Sequence, residues 1–443
     1  MLTESSISMK FLDAFAGIGG FHAGVKQAIP DAECVGMIEI DKKARDVYLK
    51  NFPLPKENVY EDITQLISRD KVSDKQDSKE IDEIVGLLEI EAKQSKYIED
   101  LPEFDLLCAG FPCQPFSINR QGNRDFVNEA DDRVNLYQYL IEICRIKKPE
   151  YILFENVAKL ETVRNSNGEL MIDVIISSLR DIGYNHIEHQ ILDAADFGVP
   201  QQRKRIFIVA CRSCENFSFP EINNRKKIKV RDILEENVKS KNYKEVFKQK
   251  KCTSRCFLKT DINQEYNNSE RLYCSKKGNA KKSDGSDNKV YKWIQDSNNK
   301  WILENTNYDQ NDIQYQNKYE AFIQSRTKKS PVDNTGNLNI CPEYILTHDT
   351  PSYISRQADR VYSVEGISRT LATFGHPLFN VDGVWRQLTP KECCRLQGFA
   401  DNHLYENGKM IVKSGEALKQ LGNAVCVKVV KELVRELFND KPI

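Results

Sequence analysis

Met9-Lys10-Phe11-Leu12-Asp13-Ala14-Phe15-Ala16-Gly17-Ile18-Gly19-Gly20 decides the fold class. The apolar run Met9–Phe15 ends in a glycine turn, and the residues beyond it, up to Ala28, are helical in character. A strand, a glycine turn and a helix open an α/β sheet, which binds ligands at the carboxyl ends of its strands. Working outward, Glu33–Ile40 reads as a second strand and Asp41–Asn51 as a second helix. Phe104–Ala109, Tyr151–Phe154 and Arg205–Ala210 are further short runs of β-formers, and Asp132–Ile146 and Leu170–Leu179 have helical apolar spacing. This alternation predicts a mainly parallel sheet with helices on both faces.

Two stretches break the rhythm. Ser68–Asp100 is polar and charged, and is expected to be a surface insertion carrying one amphipathic stretch through Ile81, Ile84, Val85 and Leu88. Residues 213–385 are rich in Lys, Asn and Tyr, with strand-like pieces at Val290–Trp293 and Lys300–Leu303, and read as a second, irregular, mainly-β domain. From Arg386 a helical pattern is expected to return, ending in a terminal helix over Ala424–Phe438. The expected division is therefore 1–212, 213–385 and 386–443, with 68–100 inserted in the first part.

The composition is that of a globular chain: 443 residues, 40% hydrophobic and 29% charged. No apolar run approaches the roughly 18 residues of a membrane span, and no signal peptide is expected. The 13 cysteines form no spaced framework and read as reduced thiols of a cytoplasmic protein. The net charge of −1 hides an asymmetry. Residues 222–335 hold 25 Lys and Arg against 15 Asp and Glu, a net of +10, which suits a polyanion partner.

The glycine turn does not follow the dehydrogenase GxGxxG pattern. Glu39, ending the second strand, is placed to bind two ribose hydroxyls, and Asp62, after a third strand, an adenine amino group. Acids at strand ends without a basic phosphate clamp suit S-adenosylmethionine better than a dinucleotide. Gly110-Phe111-Pro112-Cys113-Gln114-Pro115-Phe116-Ser117 follows directly on a strand. A cysteine between two prolines sits in a stiff loop that can hold a nucleophile in attack geometry.

That loop resembles the nucleophile loop of the cytosine-5 DNA methyltransferases, a family that includes the bacterial type II restriction–modification methylases. Five further blocks match in the family's order: Phe15–Phe21; Glu155-Asn156-Val157; Gln201-Gln202-Arg203-Lys204-Arg205; Arg386–Phe399; and Gly422-Asn423-Ala424-Val425. The matching regions span 9–67, 101–212 and 386–438, about half of the chain. The resemblance implies a Rossmann-like S-adenosylmethionine-dependent domain, a smaller target-recognition domain, and double-stranded DNA bound in a cleft between them.

Chemistry then assigns roles. Carbon 5 of cytosine is too weak a nucleophile to take a methyl group unaided, and a thiolate adding to carbon 6 makes it enamine-like. Cys113 is the candidate thiolate. Glu155 is the candidate that gives a proton or a short hydrogen bond to ring N3, and Asn156 the candidate that orients the loop. By the resemblance, Arg205 holds cytosine O2, and Arg203 holds the DNA backbone or the nucleophile loop. Phe15, Gly17, Gly19, Gly20, Glu39, Asp62, Ile63, Pro112, Asn423 and Val425 are the expected cofactor contacts. Gln114 and Ser117 are expected at the DNA, and Thr370-Leu371 resembles a short element lying near the phosphates of the flipped base. A base inside a duplex cannot reach such a site, so base flipping is implied.

Two other readings compete. A tRNA cytosine-5 methyltransferase usually has Thr where Ser117 stands, and carries a Cys-Phe-Thr signature; here Cys256-Phe257 is followed by Leu258. An inert DNA-binding regulator would have no need of Cys113, Glu155, Arg203 and Arg205 together. Zinc is not expected at Cys211, Cys214, Cys252, Cys256 and Cys274, whose separations are irregular and which no paired histidines follow. A monomer is expected, with a cognate restriction endonuclease acting separately or none.

Overall fold

The computed structural model describes residues 9–69, 96–112, 132–213, 217–221, 228–238, 257–258, 271–272, 291–295, 301–305, 342–347, 360–373 and 376–438. The chain falls into two compact units: Met1–Val199, Arg203–Lys226 and Cys394–Ile443 form the first, and Pro200–Gln202 with Lys227–Cys393 the second.

The first unit is built on β1 (Lys10–Ala14), α1 (Gly20–Ala28), β2 (Glu33–Ile38), α2 (Lys42–Asn51), β3 (Val59–Tyr60), β4 (Leu106–Ala109), α3 (Leu136–Lys147), β5 (Tyr151–Val157), α4 (Met171–Asp181), β6 (His186–Asp193) and β7 (Lys204–Cys211). It closes with α5 (Pro390–Gln397, shared with the second unit), α6 (Ser414–Asn423) and α7 (Val427–Phe438). The strands form one sheet in the order β3-β2-β1-β4-β5-β7-β6. The first five run parallel, and β7 is antiparallel to both of its neighbours. The order reverses between β1 and β4, the crevice where open sheets bind ligands.

Alternation along the strands fills two layers. Leu107, Ala109, Ile152, Phe154, Ile206 and Ile208 face α3 and α4. Leu106, Cys108, Leu153, Phe207 and Val209 face α1 and α7. The second layer is tight. A Cβ on Gly24 would lie 2.5 Å from Cβ of Val430 and 3.0 Å from the Val427 carbonyl. Gly24→Ala would gain about 1 kcal/mol of helix propensity, against an overpacking cost of about 1–3 kcal/mol. With backbone among the obstructing atoms the clash wins, and urea unfolding should give a net loss of up to about 2 kcal/mol.

Several boundaries differ from the sequence reading. The strand His186–Asp193 is new, and β5 runs on to Val157, so the Glu155 block lies within a strand. Of the expected insertion, residues 70–95 lie outside the described residues, but its ends are not superficial. Ser68 and Ile98 are each 1% exposed, and Lys147 Nζ donates to the carbonyls of Glu99 and Leu101. Arg386 lies in the strand Val384–Gln387, and the helical pattern returns only at Pro390. Phe217 packs with the first unit's α7 layer, beyond the boundary expected at 213. Cys211 is disulfide-bonded, which corrects the expectation of reduced thiols, while Cys34, Cys108, Cys144, Cys393, Cys394 and Cys426 are free. Cys214, Cys252, Cys256 and Cys274 lie outside the described residues. Among the described residues no helix is long and apolar enough to cross a membrane.

The second unit is mainly β. Its larger sheet runs Phe257–Leu258, Pro342–Thr347, Arg360–Ser363, Leu378–Val381, Val384–Gln387, with Tyr362, Phe379 and Trp385 buried. The last two strands meet at Asp382-Gly383, both at positive φ, the conformation a tight hairpin requires. A three-stranded sheet joins Arg271–Leu272, Tyr291–Gln295 and Trp301–Asn305. Arg386 and Glu392 form a buried bidentate pair at 2.7 Å, and Glu392 also accepts from the backbone N–H groups of Thr389 and Glu235.

Candidate active site

Beyond β1 the chain passes through left-handed residues at Phe15 (φ 54°), Gly17 (φ 54°) and Gly19 (φ 88°). Glycine is required here by space as well. A Cβ at Gly19 would lie 2.6 Å from the Phe52 ring, and one at Gly20 2.9 Å from the Val425 carbonyl oxygen. Glu39, just past β2, holds the turn: its Oε2 accepts from Gly17 N–H and its Oε1 from Asp41 N–H, both at 2.8 Å. Burial pushes the Glu39 carboxyl upward, and these two bonds oppose it. Beneath the turn, burial holds the carboxyl of the fully buried Asp13 well above the usual range.

A pocket of about 330 Å³ opens at the switch between β1 and β4. It is lined by Phe15, Gly17, Gly20, Glu39, Pro112, Glu155, Arg203, Arg205, Asn423 and Val425 from the expected set. Gly19 and Asn156 are not among its lining residues. Asp62 and Ile63 do not line it. Asp62 instead caps the turn Ile63–Gln65, its Oδ1 accepting from Thr64 N–H at 2.9 Å and from Thr64 Oγ1 at 2.8 Å. Cys113, Gln114 and Ser117 lie outside the described residues.

Glu155 and Arg205 meet because β7 runs antiparallel to β5. Arg205 is opposite Val157, so Glu155, two residues back, shares its face. Arg205 Nε lies 3.1 Å from Glu155 Oε1, with both side chains largely buried. Burial raises the Glu155 carboxyl above its ordinary range, and the Arg205 and Arg203 charges offset this in part. Asn156, on the opposite face, sends Nδ2 to the Phe111 carbonyl at 3.2 Å, gripping the loop two residues before Cys113. Arg203, 2% exposed, donates Nη2 to the carbonyls of Gly422 (3.1 Å) and Ala424 (2.8 Å), an attachment the sequence did not suggest.

The sequence reading also missed Ile40, Phe111, Arg133 and Gln420 in the lining. Ile40 had a signal, an apolar residue directly after the strand-end acid, and it is 70% exposed. In the second unit, Thr370 Oγ1 donates to the Gln202 carbonyl and Leu371 N–H to Gln201 Oε1, each at 2.7 Å. The Thr-Leu element is thus clipped to the Gln-Gln pair.

Two histidines lie under the glycine turn. His22 Nδ1 is 2.8 Å from Tyr48 Oη and its ring stacks on Phe52, while burial, then Lys26 and His403, lower its pKa to about 3. A base whose folded pKa lies below its unfolded value of 6.5 costs stability as pH falls through 6.5 toward 3. Between pH 7.5 and 5.5 the wild type should therefore lose about 1.4 kcal/mol more than His22→Phe, measured by urea unfolding of both. Equal losses would show that His22 titrates normally.

A C-5 cytosine-specific DNA methylase family model matches residues 9–439. The chain belongs to that family. As a DNA cytosine-5 methyltransferase it has relatives along almost its whole length. It is 25% identical to the type II methyltransferase M.HhaI of Haemophilus parahaemolyticus and 29% identical to M.BanI of Aneurinibacillus aneurinilyticus, covering 98% of this chain and 96% of each relative. Its fold is that of the methyltransferase EhMeth of Entamoeba histolytica (TM-score 0.53, 15% identity, 98% of each chain covered). The S. pombe Dnmt2 methyltransferase shares it too (TM-score 0.51, 17% identity, 97% of this chain and 98% of that one). The enzyme transfers a methyl group to carbon 5 of cytosine in DNA, and neither the tRNA reading nor the inert-regulator reading is better supported.

Proposed function

We propose that the pocket holds S-adenosylmethionine and that Cys113 and Glu155 act on a flipped cytosine beside it. The observation that carries this reading is the buried Glu155, paired with Arg205 on the wall that Phe111 and Pro112 also line. Pocket and cofactor fit. The volume suits a nucleoside-sized ligand, and the glycine turn leaves no Cβ in the way. Both Glu39 oxygens keep lone pairs for ribose hydroxyls beyond the two backbone bonds. Ile40 and Phe15 offer apolar surface to adenine, whereas Asp62, outside the lining, has only the Oδ2 left over from its cap for the adenine amino group. Asn423 and Val425 close the other side. The bound cofactor supplies an electrophilic methyl group on sulfonium.

On the substrate, Cys113 Sγ bonds to carbon 6 while Glu155 delivers its proton to N3, which places electron density on carbon 5. Arg205 holds O2 and keeps Glu155 aimed at the ring. Once carbon 5 is methylated its proton leaves to a solvent base, the C6–S bond breaks to restore the Cys113 thiolate, and N3 returns its proton to Glu155. Asn156 fixes the loop through Phe111, and Arg203 ties the pocket wall to the Gly422–Ala424 turn. Gln114, Ser117 and Thr370 contact the DNA around the flipped base.

The second unit reads the target sequence, with the basic excess of 222–335 neutralising phosphates. The relatives' names favour a type II restriction–modification role, and the proposal extends to a monomer acting on the nucleoid in the cytoplasm, with any cognate endonuclease acting separately. Transfer of tritiated methyl groups from S-adenosylmethionine to DNA and to tRNA, with bisulfite sequencing of host DNA, tests the whole reading. Labelled tRNA and unlabelled DNA would overturn it.

A further inference from the structure

Between the matching blocks that end at Phe399 and resume at Gly422 lies His403, which no motif includes. It is 4% exposed, and its Nε2 lies 2.7 Å from the carbonyl oxygen of Ile18, in the middle of the glycine turn and 385 residues away in sequence. A carbonyl only accepts, so the ring must be the Nε2–H tautomer. The imidazole is itself held. It stacks on Phe399 at 4.3 Å, and its backbone carbonyl accepts from Asn51 Nδ2 on α2 at 2.8 Å.

The turn's peptides are fixed one by one. Ala16 N–H donates to the Ile38 carbonyl, Gly17 N–H to Glu39, and Gly19 N–H to the Ala16 carbonyl. The Ile18 carbonyl accepts nothing else from the described residues, and Ile18 lines the pocket. Without His403 the Ile18–Gly19 peptide keeps only the Gly19 N–H bond to the Ala16 carbonyl, and the pocket wall loses its second anchor. We infer that His403 is a positioning residue that sets the glycine turn for cofactor binding. The inference rests on the reading that this pocket takes S-adenosylmethionine.

Two substitutions separate the donor from the ring. His403→Phe keeps an aromatic ring against Phe399 and removes the donor. His403→Gln removes the ring and keeps an amide donor of matching reach. Calorimetric titration with S-adenosylmethionine should give a dissociation constant about tenfold weaker for His403→Phe, the scale of one buried hydrogen bond. His403→Gln should return to within about threefold of wild type, and the KM for DNA should not move in either. Affinity within twofold of wild type in His403→Phe would overturn the inference, as would a Gln variant no better than the Phe variant. Wild-type protein that binds no S-adenosylmethionine would sink the cofactor reading itself, and the inference with it. Should His403→Phe fail to fold, nitrogen-15 NMR of the wild-type histidines decides. A protected Nε2–H on His403 that shifts on cofactor addition supports the inference, and an exchange-averaged imidazole indifferent to cofactor overturns it.

Discussion

Cys113→Ser is expected to abolish methyl transfer, with a loss of roughly 10⁴-fold or more, the scale on which removal of a covalent nucleophile acts. A serine hydroxyl is far less acidic than a thiol and is almost wholly protonated near neutral pH, so it cannot add to carbon 6. The pocket around the reacting ring is built by other residues. The Asn156 grip on Phe111, the Glu155–Arg205 pair and the glycine turn do not depend on the thiol, so affinity for DNA and cofactor should stay within a fewfold of wild type. The same residue predicts a trap. On DNA with 5-fluorocytosine at the target, fluorine at carbon 5 blocks proton loss, and the wild type should form an adduct that survives denaturing electrophoresis. Methyl transfer persisting in the serine variant, or an adduct mapping to another residue by mass spectrometry, would show that the nucleophile is not Cys113.

Glu155→Gln should slow turnover by roughly 10²-fold or more, the scale of lost general acid catalysis. Glutamine keeps a donor and nearly the same shape but cannot give up a proton to N3. Cofactor affinity should barely change, because Glu39 and the glycine turn carry that contact. A pH signature accompanies the loss. Burial raises the Glu155 carboxyl above its ordinary range, so the protonated form extends to higher pH than for an exposed acid. The wild-type rate should fall as pH rises through that raised pKa, and this limb should be missing from the Gln variant. A rate within threefold of wild type, or an unchanged pH limb, would mean that N3 is served by another group.

Much of this site was legible in sequence because it is local. A strand feeding a glycine turn, an acid ending the next strand and a cysteine between prolines are contiguous signals with contiguous causes. The R-x-R spacing of Arg203 and Arg205 is local too, since the two flank Lys204, the first residue of β7, and both line the pocket. What escaped was of a different kind. The strand His186–Asp193 was passed over because it lies at the sheet edge and is half exposed, so its polar alternation gives no apolar run. Arg386 and Gln387 read as the start of a helical pattern because four residues of a hairpin strand cannot establish a period, whereas Asp382-Gly383 is the better signal.

The sequence by itself determined the sheet, its ligand-binding edge, the family and the residue types that do the chemistry. The tertiary structure decided which of these residues hold one another. Glu155 reaches Arg205 because β7 runs against β5, a direction set by the short connection, residues 194–203, that brings β7 back antiparallel to β6. Arg203 reaches Gly422 and Ala424, and His403 reaches Ile18, across hundreds of residues. Such contacts leave no periodicity and no spacing to read. They exist because a buried guanidinium, imidazole or carbonyl must find a hydrogen-bond partner, and only the folded chain determines which one is near.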